Sequence, residues 1–411
     1  IIRQHVFMDG RAKSLFPFIL MLFIMLTMPL ATFPANHDVD LSSDDISTTT
    51  ARSQTTWSGV VELTESYSIA VTDELIIAPC TLVKVPNSAR IFVDGRLSIE
   101  GDSTCPVVID QAGTGLHYGI QFNQSSYGRG SIINNLSIDN SMYGVTVYGS
   151  NPVLNNVTIN NPSRVGIDLF SNANPTISDL MVDQSGRGFT YSDWRYGIGL
   201  SVGAGSSPIV ERAVLTDMRI RGLNIWGDSG GIYRQITIDN ITAEGASAIS
   251  AGVWVEDSRP LITNVSVDKS DYGILIRHID DGGNTRAVVR DCLVTNSMYR
   301  GIYVDKANHT NFTNYETADF TNTVVSGTGG PNAKTSGIGF AAIEINATGA
   351  WFENTLIEDS TTTGLRLYFV DSSTTFRNLK IVNSGDPGQG AHEAGLAIRS
   401  SFFAPVFDGL E

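Results

Sequence analysis

The chain has 411 residues, with 27 Lys and Arg against 42 Asp and Glu and a formal net charge of −15. Cations this sparse exclude a nucleic-acid binder, which needs a dense basic surface to displace counterions from phosphates. They also argue against passive retention of an anionic polysaccharide, although local basic spots survive.

The chain opens with a short stretch before Met8, the better initiator, so residues 1–7 read as upstream read-through. Arg11 and Lys13 then precede an uncharged apolar run at residues 15–31, with Ala31 and Ala35 as candidate cleavage sites. A basic segment followed by a run too short to span a bilayer is the pattern of a secretory signal, assigned to residues 1–35. The protein is therefore expected to be secreted or held at the extracellular cell surface. Membrane contact would come only through an uncleaved signal or an anchor beyond residue 411. Residues 36–56 are rich in Ser, Thr and Asp and read as a flexible linker. Further on, Pro79-Cys80-Thr81-Leu82-Val83 aligns with Thr104-Cys105-Pro106-Val107-Val108, with Leu75 and Leu97 just upstream. The alignment puts Cys80 and Cys105 in one corner of adjacent coils, where an exported protein can form a disulfide. Cys292 falls in an inward apolar column and reads as a buried free thiol.

From residue 119 a two-part frame recurs. One part is a strand headed by Gly, as in Gly144-Val145-Thr146-Val147, Gly252-Val253-Trp254-Val255 and Gly301-Ile302-Tyr303-Val304. The other is an apolar-x-Asn-apolar-x-apolar-x-Asn run, as at residues 133–140, 154–161 and 352–359. Apolar and polar residues alternate strictly in both, which sends one set inward and the other outward on a strand. A unit of this length cannot bury its own apolar face, so the copies must stack. The prediction is an all-β parallel solenoid of roughly a dozen coils, on the order of 60 Å long. Aligned, the copies give a column containing Asn135, Asn156, Asn264, Asn322, Asn354 and Asn378, with Asp179, Arg212, Gln235 and Asp291 in the same place. Asn tolerates left-handed turns and its amide can bond to turn backbone, so this column reads as a structural ladder. Asn140, Asn161, Asn240, Asn296 and Asn383 mark a second corner. The Gly at the head of the other strand is expected to permit a sharp turn into it.

These motifs resemble the right-handed parallel β-helix superfamily built from NosD-like, pectate-lyase-like repeats. The resemblance covers residues 119–411 well. It covers 57–118 more loosely, where Trp57-Ser58-Gly59, Asp73-Glu74-Leu75 and Phe92-Val93-Asp94-Gly95-Arg96-Leu97 look like capping coils. It implies a single-stranded right-handed parallel β-helix. It does not imply one activity, because the superfamily includes polysaccharide lyases, glycoside hydrolases, adhesins and surface-layer proteins. Residues 407–411 fall inside another copy of the frame, so the repeats are expected to continue past them.

Candidate chemistry concentrates on the outward side of the Gly-headed strands. Trp226, Trp254, Arg277, Tyr303, Glu344, Arg366 and Tyr368 form a strip there, flanked by longer insertions. Aromatic faces can stack on sugar rings, while Arg and carboxylates bond hydroxyls or uronates. Aromatics that simply favour strands are the alternative. A denser polar cluster contains Glu256, Arg277, His278, Asp280, Asp281, Tyr303 and Asp305, with His309 in the next loop. Glu256, Asp280, Asp281 and Asp305 are the candidate catalytic carboxylates for a glycoside hydrolase or lyase. Asp280, Asp281 and Asp305 could also hold Ca²⁺, and no other cofactor is required. Phosphate loops, zinc-ligand spacings and nucleophile elbows are absent from the sequence. The leading expectation is a noncatalytic β-helix that contacts a polysaccharide or surface glycan. A polysaccharide-degrading enzyme and a purely structural surface-layer or spacer element stay open.

Overall fold

The computed structural model describes residues 52–187, 196–243, 249–279, 286–306, 316–329, 341–370, 373–385, 395–399 and 404–411. The predicted secretory signal and most of the predicted linker lie outside the described residues. The linker does not reach residue 56. Ser53–Trp57 is already a strand, paired in parallel with Asp73–Ile77. Its Ser/Thr composition suits a polar edge strand, of which only Trp57 is buried, edge-on to Tyr67 at 4.8 Å.

The described strands form two parallel sheets, one of 17 strands and one of 13, wound as a right-handed parallel β-helix. The Asn-flanked runs build the larger sheet and the Gly-headed runs the smaller. In the first coils each strand of the larger sheet is broken in two. Ile132–Asp139 joins the halves: Ile132, Ile133 and Asn134 pair with residues 98–100, while Leu136, Ser137 and Ile138 pair with 107–109. Asn135 is the one-residue hinge between them, with φ +51°.

That hinge recurs in every later coil. Asn156, Asp179, Arg212, Gln235, Asn264, Asp291, Asn322, Asn354 and Asn378 all have φ between +52° and +57°. Several of these side chains link successive coils. Asn135 Nδ2 donates to Gly101 O at 2.7 Å, Asn322 to Asp291 at 2.8 Å, Asn354 to Asn322 at 3.1 Å and Asn378 to Asn354 at 2.9 Å. Where Asp179 and Arg212 replace Asn, a bidentate ion pair at 2.6 and 2.9 Å makes the rung. Below Asn135 the same corner holds Cys80 and Cys105, disulfide-bonded with Cα atoms 4.7 Å apart. The second corner behaves alike at Asn140, Asn161, Asn240, Asn296 and Asn383, all with positive φ. A third corner, after the Gly-headed strands, uses Ser171, Asp257, Ala347 and Phe369 in the same conformation. Those residues share no side-chain chemistry, so no motif announces the corner.

Inside, identical positions stack. Phe320, Phe352, Phe376 and Phe407 lie nearly parallel at 4.6, 5.1 and 5.2 Å. Tyr233, in the same column, is fully buried and its hydroxyl donates to Gly230 O at 2.9 Å. Cys292 is a buried free thiol, and burial pushes its pKa up to about 12. Each such apolar side chain contributes roughly 1.5–3 kcal/mol by leaving water. Among the described residues no helix is long and apolar enough to cross a membrane.

The Gly column has a different cause from the one expected. Gly144, Gly222, Gly252 and Gly273 are not in the left-handed region. They are needed because no Cβ fits. One on Gly252 would lie 2.3 Å from Val267 Cγ1, and one on Gly273 would lie 2.2 Å from Val294 Cγ1 and 2.4 Å from Gly301 O. The β-branched column of the larger sheet fills the space a side chain would take. Gly273→Ala should therefore cost about 2–4 kcal/mol in urea unfolding. Gly395→Ala, whose Cβ would meet only Ile381 Cγ2 at 3.8 Å, should leave the midpoint nearly unchanged.

Candidate functional site

The outer face of the 13-stranded sheet carries three rows of side chains along the solenoid axis. Parallel register places Thr146, Asp168, Ser201, Asn224, Trp254, Leu275, Tyr303, Glu344 and Arg366 in the middle row. Trp226, Glu256, Arg277, Asp305, Asn346 and Tyr368 form the trailing row. The leading row includes Arg221, Tyr272 and Arg300.

The C-terminal half of this face closes on itself. Arg221 sits 3.9 Å above the Trp254 ring, Arg277 lies 5.3 Å from the same ring, and the indole N–H donates to Glu256 at 3.2 Å. Trp254 is only 5% exposed and packs with Ala251, Tyr272 and Leu275 in a small cluster separate from the core. Burial pushes the Arg221 guanidinium down to about 10. Arg300 grips Glu344 through two hydrogen bonds of 2.9 and 3.1 Å and donates to the Tyr272 hydroxyl at 2.6 Å. Arg366 reaches the same carboxylate at 3.4 Å. Asp305 accepts from Asn346 at 3.0 Å and makes an off-axis ion contact with Arg277 at 3.3 Å. The Tyr303 phenol beside it is held above its usual pKa by burial and by the Asp305 charge. Trp254, Glu344 and Arg366, expected on an open strip, are thus buried in this network. Arg277, Tyr303 and Tyr368 are half-buried.

The N-terminal half is open. Tyr148 and Trp226 are 41% and 37% exposed, and Phe170 stands edge-on to Tyr148 at 5.0 Å. Gly203 lies under Trp226, since a Cβ there would fall 2.3 Å from the indole Cε2. Beside these aromatics lies the polar middle row, in which Asp168 is half-buried and Thr146, Ser201 and Asn224 are buried. Asn224 accepts from Arg221 at 2.6 Å, and its buried Nδ2 has no partner. Burial pushes the Asp168 carboxyl up to about 6, opposed by a hydrogen bond from Ser201. Of the sequence-predicted strip only Trp226 belongs to this groove. Alternation places Tyr148, Phe170 and Asp168 on the outer face, and what the sequence lacks is any sign of which outward residues stay uncovered.

The catalytic candidates are divided. Glu256 and Asp305 lie in the closed half, whereas Asp280, Asp281 and His309 lie outside the described residues. Among the described residues there is no cluster of three or more His, Cys, Asp or Glu able to hold a metal. One pair escaped the sequence analysis. His278 Nδ1 lies 2.9 Å from Asp257 Oδ1, which also accepts from Ile279 N at 2.9 Å. Asp257 is a third-corner residue, and that corner has no sequence signature.

No family model matches the chain, and no curated protein matches it. Several solved structures are similar. An alginate lyase from Paenibacillus sp. strain FPU-7 is 13% identical with a TM-score of 0.44, over 65% of this chain and 95% of that one. The catalytic domain of a GH87 α-1,3-glucanase in complex with nigerose is 14% identical with a TM-score of 0.44, over 85% and 68%. The A-module of the mannuronan C-5 epimerase AlgE6 of Azotobacter vinelandii is 12% identical with a TM-score of 0.44, over 82% and 90%. At such identities the likeness is one of fold.

The Asp168 shift has a stability consequence. A carboxyl with a raised folded pKa binds its proton more tightly when folded. Its contribution is fully present below the unfolded value near 3.8 and is lost as pH rises through about 6. Asp168→Asn should flatten this part of the pH profile. Relative to the parent, the variant should gain on the order of 2 kcal/mol between pH 4 and pH 7 in chemical unfolding.

Proposed function

We propose that this protein is a noncatalytic, secreted or cell-surface β-helix that binds carbohydrate in the open groove of its 13-stranded sheet. The observation that carries this reading is the aromatic row of Tyr148 and Trp226, both exposed, with the half-buried Phe170, beside the polar row Thr146, Asp168, Ser201 and Asn224. Apolar rings offer stacking area to the faces of pyranoses, and the half-buried Asp168 carboxyl stands beside them. Export rests on the basic and apolar segments at residues 11–31.

A second reading, a polysaccharide lyase or glycoside hydrolase, draws on the Asp257–His278 contact, because a carboxylate that orients an imidazole can prepare a general base. Product release from a polysaccharide, lost in Asp257→Asn, would favour it. Assembly of the protein into arrays without binding any glycan would favour a structural role.

The two tryptophans should separate recognition from packing. Trp226→Ala should weaken glycan binding by roughly tenfold or more while leaving the thermal midpoint in place, since stacking of this kind contributes about 1–2 kcal/mol. Trp254→Ala should cost about 3–5 kcal/mol of stability, because it empties a buried site beneath Arg221. Equal losses of binding in both variants, with no change in stability, would contradict this division.

A further inference from the structure

Among the described residues, the leading edge of the open half is built from arginines and tyrosines without acids. Arg90 lies 4.5 Å above the Tyr118 ring and donates to the side-chain oxygen of Gln121. Tyr118 stacks on Tyr143 at 6.1 Å with 21° between planes. One coil on, Arg164 lies 5.8 Å from the Tyr143 ring and 4.4 Å from the Tyr196 ring, and donates to both phenol oxygens at 2.8 and 2.6 Å. Arg219 follows two coils beyond Arg164, seated against Gly197, where an added Cβ would come within 2.4 Å of its own Cβ. Arg219 is 4% exposed, and its Nη1 has no hydrogen-bond partner. Arg164 Nε is likewise buried without one.

The missing acids distinguish this edge. Among the described residues no carboxylate meets Arg90, Arg164 or Arg219. On the same face Arg277, Arg300 and Arg366 each meet one. The contrast is unusual in a chain whose acids outnumber its bases 42 to 27. Tyrosine faces hold a guanidinium in place without neutralising it. Burying a cation without a counter-ion is unfavourable unless an anion arrives from elsewhere. Guanidinium N–H groups match the paired oxygens of carboxylates and sulfates.

We infer that the Arg90–Arg164–Arg219 edge is an oxyanion subsite, and that the glycan taken by the groove is acidic, carrying carboxylate or sulfate groups along its length. The inference rests on the carbohydrate-binding reading and supplies its substrate class. The aromatic rim holds the sugar rings, and the arginine edge selects their charge. It differs from simple electrostatic retention, because the whole protein is acidic and repels polyanions outside this edge.

The purified protein is titrated with polygalacturonate, its methyl-esterified form, a sulfated galactan and the desulfated galactan. The charged member of at least one pair should bind roughly tenfold or more tightly than its neutral partner, with the advantage shrinking as salt rises. Preference within the galacturonan pair assigns carboxylate, and preference within the galactan pair assigns sulfate. Arg164→Gln and Arg90→Gln should each reduce the preference and spare binding of the neutral polymers, while Trp226→Ala lowers binding of both members together. Using two arginine variants guards against misfolding of either, checked by their melting curves. Equal binding within each pair, or full preference in both variants, overturns the acidic assignment and leaves carbohydrate binding intact. Failure of all four polymers to bind overturns the carbohydrate reading and this inference with it.

Discussion

The whole solenoid depends on corners one residue long. A parallel coil must return its chain one strand spacing, about 4.8 Å, from where it left, and do so at the same place each time. A single left-handed residue redirects the strand without adding length, so the halves on either side keep their register. For a non-glycine residue this conformation is costly, and Asn bears it best because its amide can bond the backbone or a neighbouring coil. Here several corner amides also tie their coil to the next, as Asn354 does to Asn322 and Asn378 to Asn354. The disulfide at Cys80 and Cys105 occupies the same corner before the amide ladder begins.

Fixed corners make columns, and columns make both the core and the outer face. Inward, like stacks on like, as in the run from Phe320 to Phe407. The Gly column and the Val and Ile column of the opposite sheet are complementary halves of one contact, since each Gly leaves the room that a branched side chain fills. Outward, long side chains in one column come within reach of their neighbours above and below. A row of arginines cannot tolerate that closeness unless something intervenes.

The protein uses two intervening groups. In the C-terminal half carboxylates stand between the cations, as Glu344 does between Arg300 and Arg366, and the resulting network covers its own aromatic residues. In the N-terminal half tyrosines do so, as around Arg164, and among the described residues no carboxylate pairs with it, while Tyr148 and Trp226 stay open. One sheet therefore carries one half closed by ion pairs and one half with exposed aromatic residues.

Local rules wrote much of this into the chain. Strict alternation determined which residues face the core, and the Asn columns determined two of the three corners, because backbone preference and side-chain direction are properties of a few adjacent residues. The third corner, at Ser171, Asp257, Ala347 and Phe369, was invisible, since its left-handed turns are imposed by the coils on either side. The sequence also could not rank outward residues. Trp226 and Trp254 occupy neighbouring rows of adjacent strands, yet one is open and the other lies beneath Arg221. Their fates depend on partners one coil away, and coils of unequal length hide that adjacency from the linear chain. Only the tertiary structure, by setting which coil lies against which, decided whether each arginine met a carboxylate or a phenol.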